Sequence, residues 1–289
     1  MAAIFQTNDI KGAFPDERYI IPADIIPEAL ALNDSVVTPT SAVQGDAPRL
    51  NIPYISQAPE ANIVAEGAEI AASEATVNQI SFGTHKLALI ADLTNESLAY
   101  ADAANAVNNS AMSALTAKAD WLLMNAPVDS TGTLPTGLAN MAAASDSTDG
   151  VSEVKPSSMA KALTGVLECL AKVTDAGGDP TAIVMRYSTW AKLLGVEDSS
   201  GRPMIQPDVT SAAEPVLFNV PVIFNRAVPQ GTVMVMSAKD VITSVSQIEA
   251  AMSDQPKFTS MRTLLRLSMR LGYGTVYPQR IGRVVLPAK

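Results

Sequence analysis

Prolines divide the first part of the chain into short apolar pieces. The pieces include Ile20–Ile21 and Ile25–Ile26, and the prolines around them stand at positions 15, 22, 27, 39 and 48. Prolines at this spacing exclude a long helix and a central strand. We therefore predict that residues 1–48 form an extended arm that hydrogen-bonds to another surface. If that surface belongs to another subunit, the arm serves assembly.

Alternation of apolar and polar residues predicts a long two-stranded ribbon over residues 49–92. Leu50–Ile55 and Val77–Phe82 alternate, and the apolar run Leu87–Ile90 follows. The polar segment Val64–Ile70 between them indicates a bend. Because a two-stranded ribbon is only marginally stable in water, we expect this one to lie on another surface.

The longest helical pattern begins after Thr94, a favourable N-cap residue, and ends before Pro127. Apolar residues recur at helical spacing from Leu98 to Leu122. About 30 residues at ~1.5 Å each would make a rod of roughly 45 Å. Alanine dominates the apolar stripe, so we expect this helix to lie half-buried across a sheet.

Helices and strands alternate in the middle of the chain. A second helix is predicted from the N-cap Ser157 to Gly177–Gly178, and a third from Ser188 to Gly195. Short apolar strands are predicted around these helices: Ala182–Met185, Val220–Phe224, Val233–Met236 and Val241–Val245. The pattern indicates a compact α/β unit.

Acidic and basic residues occupy different parts of the chain. The net charge is -9, but the last 33 residues contain seven lysines and arginines and no acidic residue. Residues 50–85 contain four glutamates and neither lysine nor arginine. Arg262, Arg266 and Arg270 recur every four residues, which places them on one face of a strand and near one face of a helix. An acidic chain is a poor candidate for tight, sequence-specific DNA binding, which needs many cations.

The basic segment has three interpretations. It can be a solvated face, it can face packaged nucleic acid, or it can receive the acidic ribbon of a neighbouring subunit. We favour the last, because a homo-oligomer that carries both patches can satisfy each of them at once. The predicted inter-subunit contacts join Glu60, Glu66, Glu69 and Glu74 to Arg262, Arg266 and Arg270.

Residues for catalysis or metal binding are scarce. The chain has one histidine, His85, and one cysteine, Cys169, so no intramolecular disulfide can form. No Gly-x-Ser-x-Gly elbow, phosphate-binding loop or dinucleotide fingerprint occurs. We expect no enzymatic activity, no cofactor and no metal, and we expect Cys169 to be a buried, small apolar residue. No segment has the ~18 consecutive apolar residues of a membrane span, so we expect no membrane contact.

Four stretches resemble the major capsid family of tailed bacteriophages, which has the Hong Kong 97-type fold. Val64–Ile70 and Lys86–Leu98 are similar to that family's extended loop, return strand and start of the spine helix. Leu134–Leu138 resembles its Pro-x-Gly turn after the spine helix, and Phe258–Ile281 resembles its closing peripheral-domain strands. Their order along nearly the whole chain from residue 50 onwards carries the resemblance.

The resemblance implies an α+β fold with five segments. These are an N-terminal arm (1–48), an extended β-hairpin loop (49–92), a peripheral domain with a long spine helix (93–132), an axial α/β domain (133–242) and C-terminal strands of the peripheral domain (243–289). The resemblance implies a structural subunit that assembles into hexamers and pentamers of an icosahedral shell around double-stranded DNA. The extended loop would lie across the neighbouring subunit, where the charge pattern also places it.

The resemblance also implies partners. These are other copies of the chain, a portal, packaged DNA in non-specific contact and, as a further candidate, a decoration protein, with assembly in the host cytoplasm. Because the arm starts directly at Met1, we expect a separate scaffolding protein. Some family members crosslink through a lysine in the extended loop. We expect no such crosslink here, because residues 50–85 contain no lysine.

Two alternatives imply a different function. An encapsulin, which is a bacterial nanocompartment shell of the same fold, would enclose an enzyme, although its extended loop resembles this chain less. A soluble hydrolase or ligand-binding α/β protein would need a convergent polar pocket, and the chain offers one histidine to build it.

Overall fold

The computed structural model describes residues 29–40, 49–57, 63–64, 76–95, 101–128, 135–145, 150–197, 202, 204–205 and 215–287. The strands in these residues are β1 (Thr38–Pro39), β2 (Arg49–Gln57), β3 (Thr76–Thr94), β4 (Ser152–Val154), β5 (Ala182–Met185), β6 (Val216–Leu217), β7 (Val220–Phe224), β8 (Thr232–Met236), β9 (Val241–Val245), β10 (Glu249–Ser253), β11 (Arg262–Thr275) and β12 (Gly282–Val285). The α-helices are α1 (Ala101–Asn125), α2 (Ala162–Asp175) and α3 (Tyr187–Leu194).

The first sheet contains the longest strands. Its strand order is β1-β9-β11-β3-β2, and β10 also pairs with β11. The second half of β3 pairs with β11, from Thr84 opposite Gly272 to Thr94 opposite Arg262. The first half of β3 pairs with β2 in antiparallel register. This pair of strands, which we call the ribbon, confirms the hairpin pairing that the alternation predicts; residues 58–62 and 65–75 lie outside the described part.

One face of β11 joins the long helix α1 in the main core. The buried residues on this face are Leu265, Leu267, Met269, Leu271 and Tyr273. The hydroxyl of Tyr273 lies 2.9 Å from the carbonyl oxygen of Leu122 and 2.6 Å from that of Pro135. Burial raises the pKa of Tyr273, so the hydroxyl stays protonated as a donor. The helix therefore lies across a sheet, as its alanine-rich stripe predicts.

The two central strands of the second sheet, β8 and β5, are buried on both faces. Its strand order is β4-β12-β8-β5-β7-β6. Every residue of β5 and β8 is buried, and alternate residues face different cores. Ile183 and Val235 pack with α2 and α3, whereas Val184 and Met236 pack with α1 in the main core. Burial on two faces requires uninterrupted apolar strands, which is the pattern found in this part of the sequence.

The strand Val241–Val245 exists as predicted, but it does not belong to the second sheet. It is β9, and it pairs with β1 and β11 in the first sheet. The short turn Ala238–Asp240 separates it from β8 and redirects the chain. Sequence alternation alone does not distinguish the two sheets, because both offer buried positions to apolar side chains.

Residues 29–40 fold onto their own subunit. Leu30, Val36 and Val37 are fully buried in the main core. The backbone N–H of Leu30 donates to Asp120 Oδ1 on α1 at 2.9 Å. β1 is an edge strand, where the missing N–H of Pro39 leaves no partner unsatisfied. Residues 29–40 therefore hydrogen-bond to other elements, as predicted for the arm, but these elements belong to their own subunit; residues 1–28 and 41–48 lie outside the described part.

The helix starts differ from those predicted. Ser157 does not cap α2, because a 3-10 turn over Met159–Lys161 precedes the helix and its backbone hydrogen bond takes the place of a side-chain cap. α3 begins at Tyr187, one residue before the predicted start. At the long helix, by contrast, helical backbone begins at Asn95, directly after the predicted cap Thr94, which is also the last residue of β3; residues 96–100 lie outside the described part.

Candidate inter-subunit surface

Outward side chains of β11 and β3 form the second face of the first sheet, which we call the outer face. Strand residues alternate, so β11 places Arg262, Arg266 and Arg270 opposite the core. Their cross-strand neighbours on β3 are Thr94, Ile90 and Lys86. The prediction that the three arginines share one face of a strand is confirmed.

Asp92 holds two cations at one end of the outer face. Its carboxylate accepts hydrogen bonds from Arg262 Nη1 at 3.2 Å and from Lys257 Nζ. The hydrogen bond from Lys257 is the main reason that the pKa of Asp92 lies below its ordinary value, although some desolvation acts against it. Arg262 therefore has an acidic partner within its own chain.

Arg266 is the exposed centre of the outer face. Its cross-strand neighbours are Ile90 on β3 and Ala251 on β10. Ile90 is 66% exposed, although it lies in the middle of a long strand. An isoleucine beside an arginine offers both apolar area and charge to a partner that covers them.

Arg270 and Lys86 add two cations next to Arg266. They lie directly opposite each other on neighbouring strands. Lys86 is exposed, and the half-buried Arg270 places Nη1 3.5 Å from Thr84 Oγ1. We call Lys86, Arg266 and Arg270 the basic patch.

Two other cations of the C-terminal segment are paired within the chain. Arg283 Nε donates to Glu153 Oε1 at 3.0 Å, and Arg280 Nη1 lies 3.3 Å from Asp240 Oδ1. Like Asp92, these acidic partners lie outside the basic segment. Sequence reasoning missed all three, because residue spacing carries no signal for side chains that meet only after the sheets have formed.

The four glutamates predicted to meet the arginines lie outside the described residues: Glu60, Glu66, Glu69 and Glu74. The ribbon that leads to them is described. Ile55 and Val77, which pair across the ribbon, are 53% and 67% exposed. Exposed branched side chains on a two-stranded ribbon are typical of a surface that another chain covers.

The single cysteine and the single histidine lie outside the basic patch. Cys169 is buried as predicted, with Sγ 3.6 Å from the carbonyl oxygen of Ser152. Burial raises the pKa of its thiol to about 12, which keeps it protonated and unreactive. His85 lies on β3. Within the described ranges, no three His, Cys, Asp or Glu side chains are grouped to hold a metal ion.

None of the helices in the described part of the chain is both long and apolar enough to cross a membrane.

A family model and several solved structures match most of the chain. The model of the phage capsid family matches residues 20–285. A structure from Gordonia phage Cozz is similar with a TM-score of 0.70 and 14% identity, covering 91% of this chain and 87% of that chain. A structure from Mycobacterium phage Bobi has a TM-score of 0.69 and 15% identity, covering 99% of this chain and 100% of that chain. No curated protein sequence matches the chain.

A third similar structure is titled as the capsid of a native GTA particle. Its TM-score is 0.70 at 13% identity, and the match covers 94% of this chain and 93% of that chain. At such identities the structures establish the fold, which is the α+β capsid fold that the resemblance implies. The family match over most of the sequence establishes the role: the chain belongs to the phage capsid family and is a structural subunit that self-assembles into the shell of a virion.

Proposed function

We propose that the subunits form hexamers and pentamers of an icosahedral shell around the double-stranded DNA of a tailed phage. In this proposal, the extended loop of each subunit lies on the outer face of its neighbour, and the loop glutamates approach the basic patch. The observation that supports it most directly is the position of Arg266, which is exposed beside Ile90 in the centre of the outer face. A partner with carboxylates and apolar side chains fits both.

The electrostatic contribution of each contact is small. An exposed ion pair contributes ~0.2–1 kcal/mol, and salt screens it further. In a closed ring, however, every subunit both donates a loop and receives one, so the contact recurs around the capsomer and sets the register of neighbouring subunits. Arg262 contributes less in this arrangement, because Asp92 already accepts a hydrogen bond from it.

Electron microscopy of particles from the natural host tests the shell and its contents. We expect homogeneous icosahedral shells that contain double-stranded DNA. Shells that enclose an enzyme and no DNA would favour the nanocompartment alternative. A protein that stays monomeric at every concentration and ionic strength would overturn the proposal.

Further partners belong to the same proposal. A scaffolding protein, a portal and, as a further candidate, a decoration protein are implied by the family resemblance, as is assembly in the host cytoplasm. Contact with packaged DNA would be non-specific, because a chain with a net charge of -9 offers few cations for phosphates. We also propose that the subunit has no catalytic activity. Purification of shells from cells that express this chain alone, compared with cells that also express the proposed partners, tests whether these partners are needed.

A further inference from the structure

A series of side-chain contacts connects the ribbon to the body of the subunit. The ring of Tyr54, on β2, meets the ring of Tyr277 edge to face, with 5.5 Å between centroids and an interplanar angle of 85°. The hydroxyl of Tyr277 donates a hydrogen bond to the carbonyl oxygen of Ile55, the next residue of β2. Tyr277 thus contacts the ribbon through both its ring and its hydroxyl.

Arg280 also contacts the Tyr277 ring. Its guanidinium carbon lies 4.0 Å from the ring centroid, which is the geometry of a cation–π contact. The same guanidinium donates from Nε to the carbonyl oxygen of Ala176 at 3.1 Å, and Nη1 lies 3.3 Å from Asp240 Oδ1. Tyr277 is therefore held between the ribbon and a fixed cation.

The two partners of Arg280 belong to different parts of the fold. Ala176 ends α2, which packs on the second sheet, so the guanidinium also satisfies a carbonyl at the C-terminus of that helix. Asp240 directly precedes β9 of the first sheet, is 4% exposed, and accepts a hydrogen bond from Ser237 Oγ at 2.5 Å. Arg280 is consequently anchored to both sheets at once, and so is the ring that rests on it.

β3 carries the ribbon out of the first sheet, and Tyr277 holds the β2 side of the ribbon to the body of the subunit. β2 is the last strand in its sheet and pairs with β3 alone. Among the residues that the structure describes, Tyr277 is the one side chain outside the ribbon that hydrogen-bonds to the backbone of β2. A two-stranded ribbon twists and bends easily, so a contact at Tyr54 and Ile55, near the far end of the pairing between β2 and β3, fixes the point from which the chain leaves the ribbon.

The length of the loop makes this effect important. Eighteen residues, 58–75, connect β2 to β3, and a chain of that length that ran out and back would reach at most about 30 Å at ~3.3 Å per residue. Over such a distance, a rotation of about 10° where the chain leaves the ribbon would displace its far end by roughly 5 Å, which exceeds the length of an ion pair.

We propose that Tyr54, Tyr277 and Arg280 are positioning residues that set the direction in which the ribbon leaves the subunit. Through this direction they determine whether the loop reaches a second copy of the chain. The directional role rests on the geometry of the contacts alone, whereas its consequence for assembly rests on the proposed function.

Distance measurements between two spin labels test the directional role. The labels are placed on cysteines introduced by Asn78→Cys in the ribbon and Lys172→Cys on α2; the buried thiol of Cys169 does not compete for the reagent. Labelled subunits are measured both unassembled and diluted into an excess of unlabelled chain. We expect a narrow distance distribution, which widens about twofold in Tyr54→Ala and in Tyr277→Ala because the ribbon loses its contact with the body of the subunit.

Two further variants separate direction from folding. Tyr277→Phe keeps the ring on Arg280 and removes the hydrogen bond to Ile55 alone, so its distribution should widen less than that of Tyr277→Ala. Tyr187→Ala is the matched control. Tyr187 is an exposed tyrosine on α3 whose ring meets that of Phe224 edge to face, and Phe224 belongs to the second sheet, whereas the ribbon belongs to the first. Its distribution should equal that of the parent.

The outcomes distinguish this inference from the proposed function. Unchanged distributions in both Tyr54→Ala and Tyr277→Ala would overturn the directional role. Wider distributions together with shells of normal yield and size would overturn the role in assembly. Arg266→Glu tests the loop contact separately, because it leaves the three positioning residues unchanged. Normal assembly of this variant would reject the loop contact and would leave the inference about the ribbon's direction unaffected.

Discussion

The aromatic ring of Phe82 lies over Gly274 on the outer face of the first sheet. A Cβ atom on Gly274 would stand 2.6 Å from Cδ1 of the ring, and one on Gly272 would stand 3.2 Å from Cδ2. Phe82 is 5% exposed although it faces away from the core, because the two glycines let its ring rest on bare backbone. The ring thus covers the sheet where the ribbon begins.

Gly274→Ala should destabilise the subunit by about 1–3 kcal/mol, because the new methyl group displaces the Phe82 ring from a tightly packed position. Urea denaturation of the unassembled subunit measures the loss. Gly195→Ala is the control, since a Cβ atom there meets its nearest neighbour at an ordinary 3.6 Å. Equal stability of the two variants would contradict the packing argument.

Arg283→Met should lower the free energy of unfolding by about 3–5 kcal/mol, because the carboxylate and carbonyl oxygens that accept hydrogen bonds from Arg283 lose their cationic donor. Arg283 is 9% exposed, and its Nη1 donates to the carbonyl oxygens of Ala139 and Met141 at 2.8 Å in addition to its bond with Glu153. Denaturant titration measures the effect.

The control for that experiment is Lys239→Met. Lys239 and Asp179 form an ion pair at 3.2 Å, but their side chains are 76% and 66% exposed. Exposed pairs contribute at most about 1 kcal/mol, so this variant should stay close to the parent. A similar loss in both variants would show that burial is not what distinguishes them.

The stability of the subunit should depend on pH through Asp120. Burial raises the pKa of this carboxyl above its ordinary 3.8, although hydrogen bonds from Asn225, Ala31 and Leu30 act in the other direction. The unfolded chain therefore releases this proton first as pH rises. The contribution of Asp120 is fully present below pH 3.8 and is lost as pH rises through the folded-state pKa.

Denaturation of the parent and of Asp120→Asn between about pH 3.5 and pH 7 tests this prediction. Other groups titrate equally in both proteins, so the difference between the two curves isolates Asp120. The parent should lose stability relative to the variant as pH rises. A difference that stays constant with pH would contradict a raised pKa.

Charge reversals test whether the loop glutamates contact the basic patch. Arg266→Glu, and separately Glu66→Arg or Glu69→Arg, should lower the yield of shells, and a double variant that combines reversals from both sides should partly restore it. The opposite charges meet again in the double variant, whereas each single variant brings like charges together. Light scattering and electron microscopy measure the yield.

The matched control is Lys172→Glu, which reverses an exposed cation on α2 that pairs with Glu168 on its own helix. It should assemble normally. Purely additive defects in every double variant would reject the pairing of these two surfaces.

Local patterns in the sequence determined several features correctly. Alternation predicted the pairing of β2 with β3 and the shared face of Arg262, Arg266 and Arg270, because strand geometry follows from residue order alone. The Pro-x-Gly resemblance also has a local cause. A Cβ atom on Gly137 would overlap the backbone of Asn125 and Ala126, and the Gly137 N–H donates to the carbonyl oxygen of Ala126 at 3.0 Å.

Partners that are distant in sequence depended on the tertiary structure. Asp92 neutralises Arg262, and Asp240 binds Arg280, through contacts that form after the sheets are in place. Leu30 likewise draws the end of the arm into the core of its own subunit. Residue order specifies which face a side chain occupies, since that is a property of a single strand or helix. The group that it meets there depends on how separate strands are brought together, which no local spacing encodes.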